Sequence, residues 1–189
     1  MTGTDRLPEI PADTLTDAQA KAAEAFKAER GVPVFGPFVP LLRSPELMLC
    51  ASRMGLYLRY GSSLPLRISE FVILFVARLW NQQVEWQIHH PIALKAGVAP
   101  ETAQALAEGR RPDTMSEEET LAYAFSTELQ HNRAVSDATY ANLVARFGEQ
   151  GAIDLTGING YYALLAMTMN VGRTALPEAG ASPLPPLVR

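Results

Sequence analysis

The chain is poor in the groups that usually announce a function. It has one cysteine, Cys50, in 189 residues, which excludes a disulfide framework and any Cys-x-x-Cys pair. It has three histidines, too few for a histidine-rich metal cluster. No basic run occurs and the net charge is −4, which argues against nucleic acid as the main partner. The longest apolar run, Phe71 to Ala77, is far too short to span a bilayer, so no membrane partner is expected. Asp5, Pro8, Glu9, Pro11 and Asp13 occupy the stretch where a signal peptide carries its apolar core, and the cytoplasm is the expected location. There is no repeat, no low-complexity tract and no clear strand.

What is present is hydrophobic surface at helical spacing. Nearly half the residues are apolar, enough for one domain with a proper core. Thr14 or Thr16 caps a helix to about Arg30, and Gly31 stops it. Residues 31–43 contain three prolines and are expected to pack without forming a helix. Ser44-Pro45-Glu46 opens a helix to Tyr60, and Ser63-Leu64-Pro65 repeats the device for the next. That next helix is apolar on nearly every side from Ile68 through Leu79, as a central buried helix is.

A further helix starts near Asn81 or Gln82 and runs through Pro91 to Lys95. Short helices follow from Ala99-Pro100-Glu101 and from the Ser116/Glu119 capping box to about His131. Ser136 caps another that ends at Phe147-Gly148. The last runs from Gln150 to Val171, with Leu155, Ile158, Tyr162, Leu165 and Met169 as its buried stripe. The organisation expected is an arm, helix and Pro-rich segment over 1–43, a helical domain over 44–175, and an extended tail over 176–189. Residues 1–13 hold little that packs. The fold class is all-α.

The chemistry concentrates between Glu70 and His90. Glu85 and His89 are four apart and share a helix face. A carboxylate beside an imidazole makes a pair suited to moving protons near neutral pH; the plainer reading is a surface ion pair. Glu70 sits in an apolar run, where desolvation would make it an acid or base, unless it is only a first-turn acid meeting the helix dipole. If the chain folds back at Asn81-Gln82, Glu70 lies about 16 Å and His89 about 11 Å from the break. The two then come within hydrogen-bond reach, directly or through one water. His90, about 100° round the helix from His89, reads as packing or interface, and His131 as a partner of a helix dipole. Arg43, Arg53, Arg59 and Arg67 are candidates to hold a carboxylate, with Arg59 and Arg67 favoured because they flank the Gly61–Pro65 turn.

The run Leu66-Arg-Ile-Ser-Glu70, Ile73-Leu74, Ala77-Arg78, Val84-Glu85-Trp86, His89, Ala93 and Gly97 resembles the carboxymuconolactone decarboxylase family, which shares the alkyl hydroperoxidase D-like helical bundle. Ser136 to Tyr140, Phe147-Gly148, Leu155 and Tyr161-Tyr162 are similar to its C-terminal half. The resemblance covers about 40–175. It implies a homo-oligomer, a trimer, hexamer or dimer. It also implies a small-molecule substrate, no cofactor and no metal.

In the peroxidase branch the redox cysteines stand where this chain has Gln82 and Glu85, so thiol peroxidase activity is not expected. The decarboxylase branch keeps Glu and His. It implies Glu70, Glu85 and His89 as catalytic residues, with Gln82, Trp86, Arg59 and Arg67 about the substrate. Relatives often carry Tyr where this chain has Val84, which removes one hydroxyl from the site. The function implied is a cofactor-free lyase or isomerase acting on a small carboxylated or lactone metabolite. The alternative is a non-catalytic, oligomeric ligand-binding protein, marked by a solvent-facing Glu70 and a closed pocket.

Overall fold

A computed structural model describes residues 5–176 and 184–185. Among these the regular structure is entirely helical, with no strand. A 3-10 turn at Ala12–Thr14 precedes α1 (Asp17–Arg30), α2 (Phe38–Leu41), α3 (Pro45–Tyr60) and α4 (Leu66–Leu79). Then come α5 (Gln83–Lys95), α6 (Pro100–Ala107), α7 (Glu117–Asn132) and α8 (Asp137–Gly172).

Most helix starts are chemical. Thr16 and Gln19 form a reciprocal capping box on α1, and Ser116 and Glu119 do so on α7. The Ser136 hydroxyl accepts from the Thr139 amide at the head of α8. Two expected caps differ. Ser44 makes no side-chain cap bond, and α3 starts on the fixed φ of Pro45 alone. Ser63 does not cap α4 either. Its amide and hydroxyl both donate to Asp154 Oδ2, at 2.8 and 2.9 Å, while Tyr57 donates to Oδ1 at 2.8 Å. The buried Asp154 thus pins the turn leading into α4 onto α8.

The 31–43 segment, expected to be free of helix, contains the single turn α2. Pro37 is its N-cap and Pro40 lies in its first turn, where backbone N–H groups have no intrahelical acceptor to lose. Phe38 packs on Phe26 of α1 at 4.7 Å between centroids, and the Arg30 guanidinium lies 4.7 Å over the Phe38 ring.

α4 is the axis. Every residue from Ile68 to Arg78 is buried, and α5, α6, α7 and α8 pack around it. α8 is continuous except at Gly148, whose φ of 73° and ψ of 172° break the helical path. The sequence break at Phe147-Gly148 is therefore a kink inside one long segment. Between α4 and α5, Asn81 takes φ 48°, a left-handed conformation that asparagine tolerates. The Gln82 amide donates to Asn170 Oδ1 of α8 at 2.8 Å and its oxygen accepts from the Val84 amide at 2.8 Å. Asn170 in turn donates to the Trp80 carbonyl at 3.1 Å, so α8 grips the elbow on both sides.

The termini are fastened. The Arg6 amide donates to the Gly172 carbonyl at 2.7 Å, Arg43 donates to the Pro8 carbonyl at 2.7 Å, and Ile10 packs on the core. The described part of the 1–13 arm is thus docked, because its backbone finds partners its side chains did not advertise. Much of the expected extended tail lies outside the described residues. Its described pair is anchored: Leu184 is buried, and its amide and carbonyl both bond the Gln83 side chain, at 2.5 and 3.3 Å. Among the described residues no helix is long and apolar enough to cross a membrane.

Candidate active site

The fold-back of α5 along α4 brings Glu70 and His89 together. Glu70 Oε2 and His89 Nδ1 are 2.7 Å apart, and the Glu70 side chain is 0 % exposed. With Glu70 as carboxylate, Nδ1 donates to it and Nε2 is left as the working nitrogen. From α3, Arg59 Nη2 approaches Glu70 Oε1 at 3.7 Å. The buried Arg59 Nε has no hydrogen-bond partner.

The imidazole partner is therefore Glu70, and the expected Glu85–His89 pairing does not form. The two share a face of α5, yet the His89 ring turns across to α4. Both Glu85 oxygens are buried without a hydrogen bond. Burial pushes the Glu85 carboxyl well above the usual carboxylate range.

The remaining sequence candidates are scattered. Gln82 is occupied as the cap of α5 and the grip on α8. Trp86 is buried and stacks on His90, with centroids 5.6 Å apart and planes 18° apart. Arg67 is drawn away to α7, donating to Ser116 Oγ at 2.8 Å and pairing with Glu118 at 2.6 Å and Glu119 at 3.0 Å. Arg43 bonds backbone carbonyls and Arg53 pairs with Glu29. Of the four arginines, Arg59 alone reaches the dyad. Among the described residues no group of three or more His, Cys, Asp or Glu could hold a metal ion.

Three residues not singled out for the site complete it. His89, Arg59, Arg30, Tyr161 and Tyr162 line one cavity of about 50 Å³, with Phe35, Phe38 and Ile88 among its apolar walls. Tyr162 meets the His89 ring edge-on at 5.1 Å, and Tyr161 meets Tyr162 the same way at 5.2 Å. The Tyr161 hydroxyl and the Arg30 guanidinium both lie against Gly55, where a Cβ would stand 2.2 Å from the hydroxyl and 3.0 Å from Arg30 Nη2. Arg30 is itself held by Ser52, through Oγ and the carbonyl, both at 2.8 Å. Burial, only partly opposed by Arg30 and Arg59, pushes the Tyr161 hydroxyl up to about 12. Burial also raises Tyr162 well above its ordinary value. Both hydroxyls are hydrogen-bond donors at neutral pH. The hydroxyl missing at Val84 is thus matched by two from α8, and the one signal for them was the Tyr161-Tyr162 doublet in the buried stripe.

Assembled, these parts place a carboxyl–imidazole pair, a guanidinium with a spare donor and two phenols around one small space. The bundle that positions them is the alkyl hydroperoxidase D-like fold. Its likeness to solved structures is direct. An alkylhydroperoxidase AhpD core, an uncharacterized peroxidase-related protein from Ralstonia eutropha, superposes with a TM-score of 0.73, covering 94% of this chain and 95% of that one at 14% identity. An uncharacterized peroxidase-related protein from a Silicibacter species does so with a TM-score of 0.69, covering 90% and 91% at 13% identity. No family model and no curated protein matches the sequence.

Proposed function

We propose that the protein is a cofactor-free, decarboxylase-like lyase or isomerase of the carboxymuconolactone decarboxylase type. It acts on a small carboxylated or lactone metabolite by proton transfer through Glu70 and His89. The observation that carries this reading is the buried 2.7 Å contact between Glu70 and His89 at the wall of a cavity. The carboxylate fixes the imidazole so that Nε2 takes or gives the proton. Arg59, with its unpartnered Nε, binds the substrate carboxylate. In the lyase reaction the bond to the carboxyl carbon breaks and CO₂ leaves. The electron pair passes into the adjacent carbonyl as an enolate, stabilised by the tyrosine hydroxyls. The imidazolium of His89 then protonates the carbon. Glu85, whose carboxyl burial raises well above the usual carboxylate range, is a second group for proton transfer on the same helix.

A cavity of about 50 Å³ seats water. Phe35, 39% exposed, stands at the cavity wall on its solvent side. Thiol peroxide chemistry is not part of this reading, because it needs a thiolate and a resolving cysteine and Cys50 is alone and exposed. We expect the enzyme to be a cytoplasmic homo-oligomer. The rival reading, a non-catalytic binding protein, calls for a solvent-facing Glu70 and a closed pocket; full burial of Glu70 against His89 supports the enzyme, while the small cavity of about 50 Å³ is what the rival shares.

The test is a panel of carboxylated lactones incubated with the protein in D₂O. Release of CO₂, or solvent deuterium entering the carbon next to the carbonyl, is expected with the wild type and absent in His89→Gln. Binding without either event across the panel would leave the non-catalytic reading.

A further inference from the structure

A second cavity, of about 170 Å³, opens between α4, α6 and α7 and shares no lining residue with the first. Phe75, Leu79 and Leu106 give it apolar walls, and Arg78, Arg110 and His131 give it its polar groups. No Asp or Glu lines it. Tyr123 stands edge-on to Phe75 at 5.5 Å, so one wall is an aromatic corner.

Arg78 is the anomaly. It is 4% exposed, and among the described residues no carboxylate pairs with it. Its acceptors among the described residues are neutral: the Pro185 carbonyl at 2.7 Å and Asn81 Oδ1 at 3.4 Å, both reached from Nη1. Nε and Nη2 are buried with no partner. Among the half-buried arginines, Arg67 pairs with two glutamates and Arg59 with Glu70, while Arg30 and Arg43 hold neutral acceptors but are less buried than Arg78. A buried cation is unfavourable unless paired and hydrogen-bonded. Holding the Pro185 carbonyl uses one donor and needs no charge.

We infer that this cavity is a binding site for a small monocarboxylate with an apolar or aromatic body, whose carboxylate supplies the missing partner of Arg78. A small turn of the guanidinium, whose Nε and Nη2 now have almost no accessible surface, presents two parallel donors to a carboxylate in the cavity. The walls of Phe75, Leu79 and Leu106 suit the apolar body and disfavour a strongly hydrated inorganic anion. Arg110, exposed at the rim and shared with Glu108 at 2.5 Å, adds to the positive field at the entrance. This second site is independent of the dyad and its chemistry.

Benzoate is the probe, with benzamide as its neutral isostere, titrated into the full chain by calorimetry. Benzoate is expected to bind at least tenfold tighter than benzamide. Arg78→Met should weaken it at least tenfold, and His89→Gln should leave it unchanged. Because Arg78 also holds the C-terminal segment, Arg110→Glu serves as the second variant. It breaks the exposed pair with Glu108, makes the rim negative and should weaken benzoate severalfold. Equal binding of the two probes, or none, would overturn the inference. So would affinity unchanged in Arg110→Glu, or lost in His89→Gln but kept in Arg78→Met.

Discussion

His89 Nδ1 lies 2.7 Å from Glu70 Oε2 across 19 residues of chain, because α5 folds back on α4 and the Glu70 side chain spans the remaining difference in height. A catalytic imidazole held this way depends on both partners. His89→Gln removes the titrating group and keeps an amide able to donate to Glu70. Turnover should fall by about 10²–10⁴ with the melting curve little changed. Glu70→Gln should lower kcat and shift its pH profile, since the carboxylate that orients the ring is gone. Steady-state rates across pH check both, and a wild-type rate in His89→Gln would remove the dyad from the chemistry.

Glu85 makes stability fall with rising pH. Burial raises its carboxyl in the folded state, so between the ordinary carboxylate range and that raised value the folded chain holds a proton the unfolded chain has lost. Stability is greatest below the ordinary range and declines through this window. Glu85→Gln keeps the neutral shape and removes the decline, which amounts to about 1.4 kcal/mol for each tenfold difference in proton affinity between the folded and unfolded chain. Urea melts of both proteins should coincide in acid and separate toward neutrality, with the variant more stable. Parallel curves would contradict the buried, unpaired placement.

Gly55 is required by Tyr161. A Cβ there stands 2.2 Å from the hydroxyl and 2.8 Å from Cζ, so Gly55→Ala should cost about 1–3 kcal/mol and displace Tyr161 from Arg30. Tyr161→Phe in the same chain should recover part of that loss. Simple additivity in a double-mutant cycle would show that the two do not meet.

Cys50 is exposed and lone. Cys50→Ser should leave lyase turnover unaltered and reveal no loss of peroxide consumption, as followed by peroxide-coupled absorbance.

Self-association is expected to use the apolar side chains that the chain leaves exposed. Phe38 of the 31–43 segment and Leu184 of the tail are buried within the chain. Met54 and Tyr57 of α3 and Ile153, Met167 and Val171 of α8 are exposed, as are Val32 and Phe35 of the 31–43 segment and Leu176. Such surface marks an interface. Light scattering at micromolar concentration should give a multiple of 20.6 kDa, and Ile153→Asp should reduce it. A monomeric wild type would end the proposal.

Local rules were legible in the sequence. The Thr16 and Ser116 boxes, Pro45 at a first turn and the all-round apolar α4 follow from neighbours a few residues apart. Fold-back arithmetic brought Glu70 to His89 because helix rise is constant. Choices between distant partners were not legible. Glu85 was preferred for His89 on spacing alone, and nothing in the spacing says that the ring turns across to α4. Arg67 looked free until α7 brought Glu118 and Glu119 to it from about fifty residues away. Arg30 and Tyr161 come from opposite ends of the chain, and only packing through Gly55 joins them.

The absence of any wet face on α4 between Ile68 and Arg78 sets a clock. Such a helix gains nothing from standing alone in water, so its amides can trade hydrogen with solvent only when the whole fold opens. Glu70 therefore rides on the slowest-opening part of the molecule. The residues that surround it from α3 and α5 belong to helices with solvent-facing sides, free to fluctuate and recover many times before their anchor opens once.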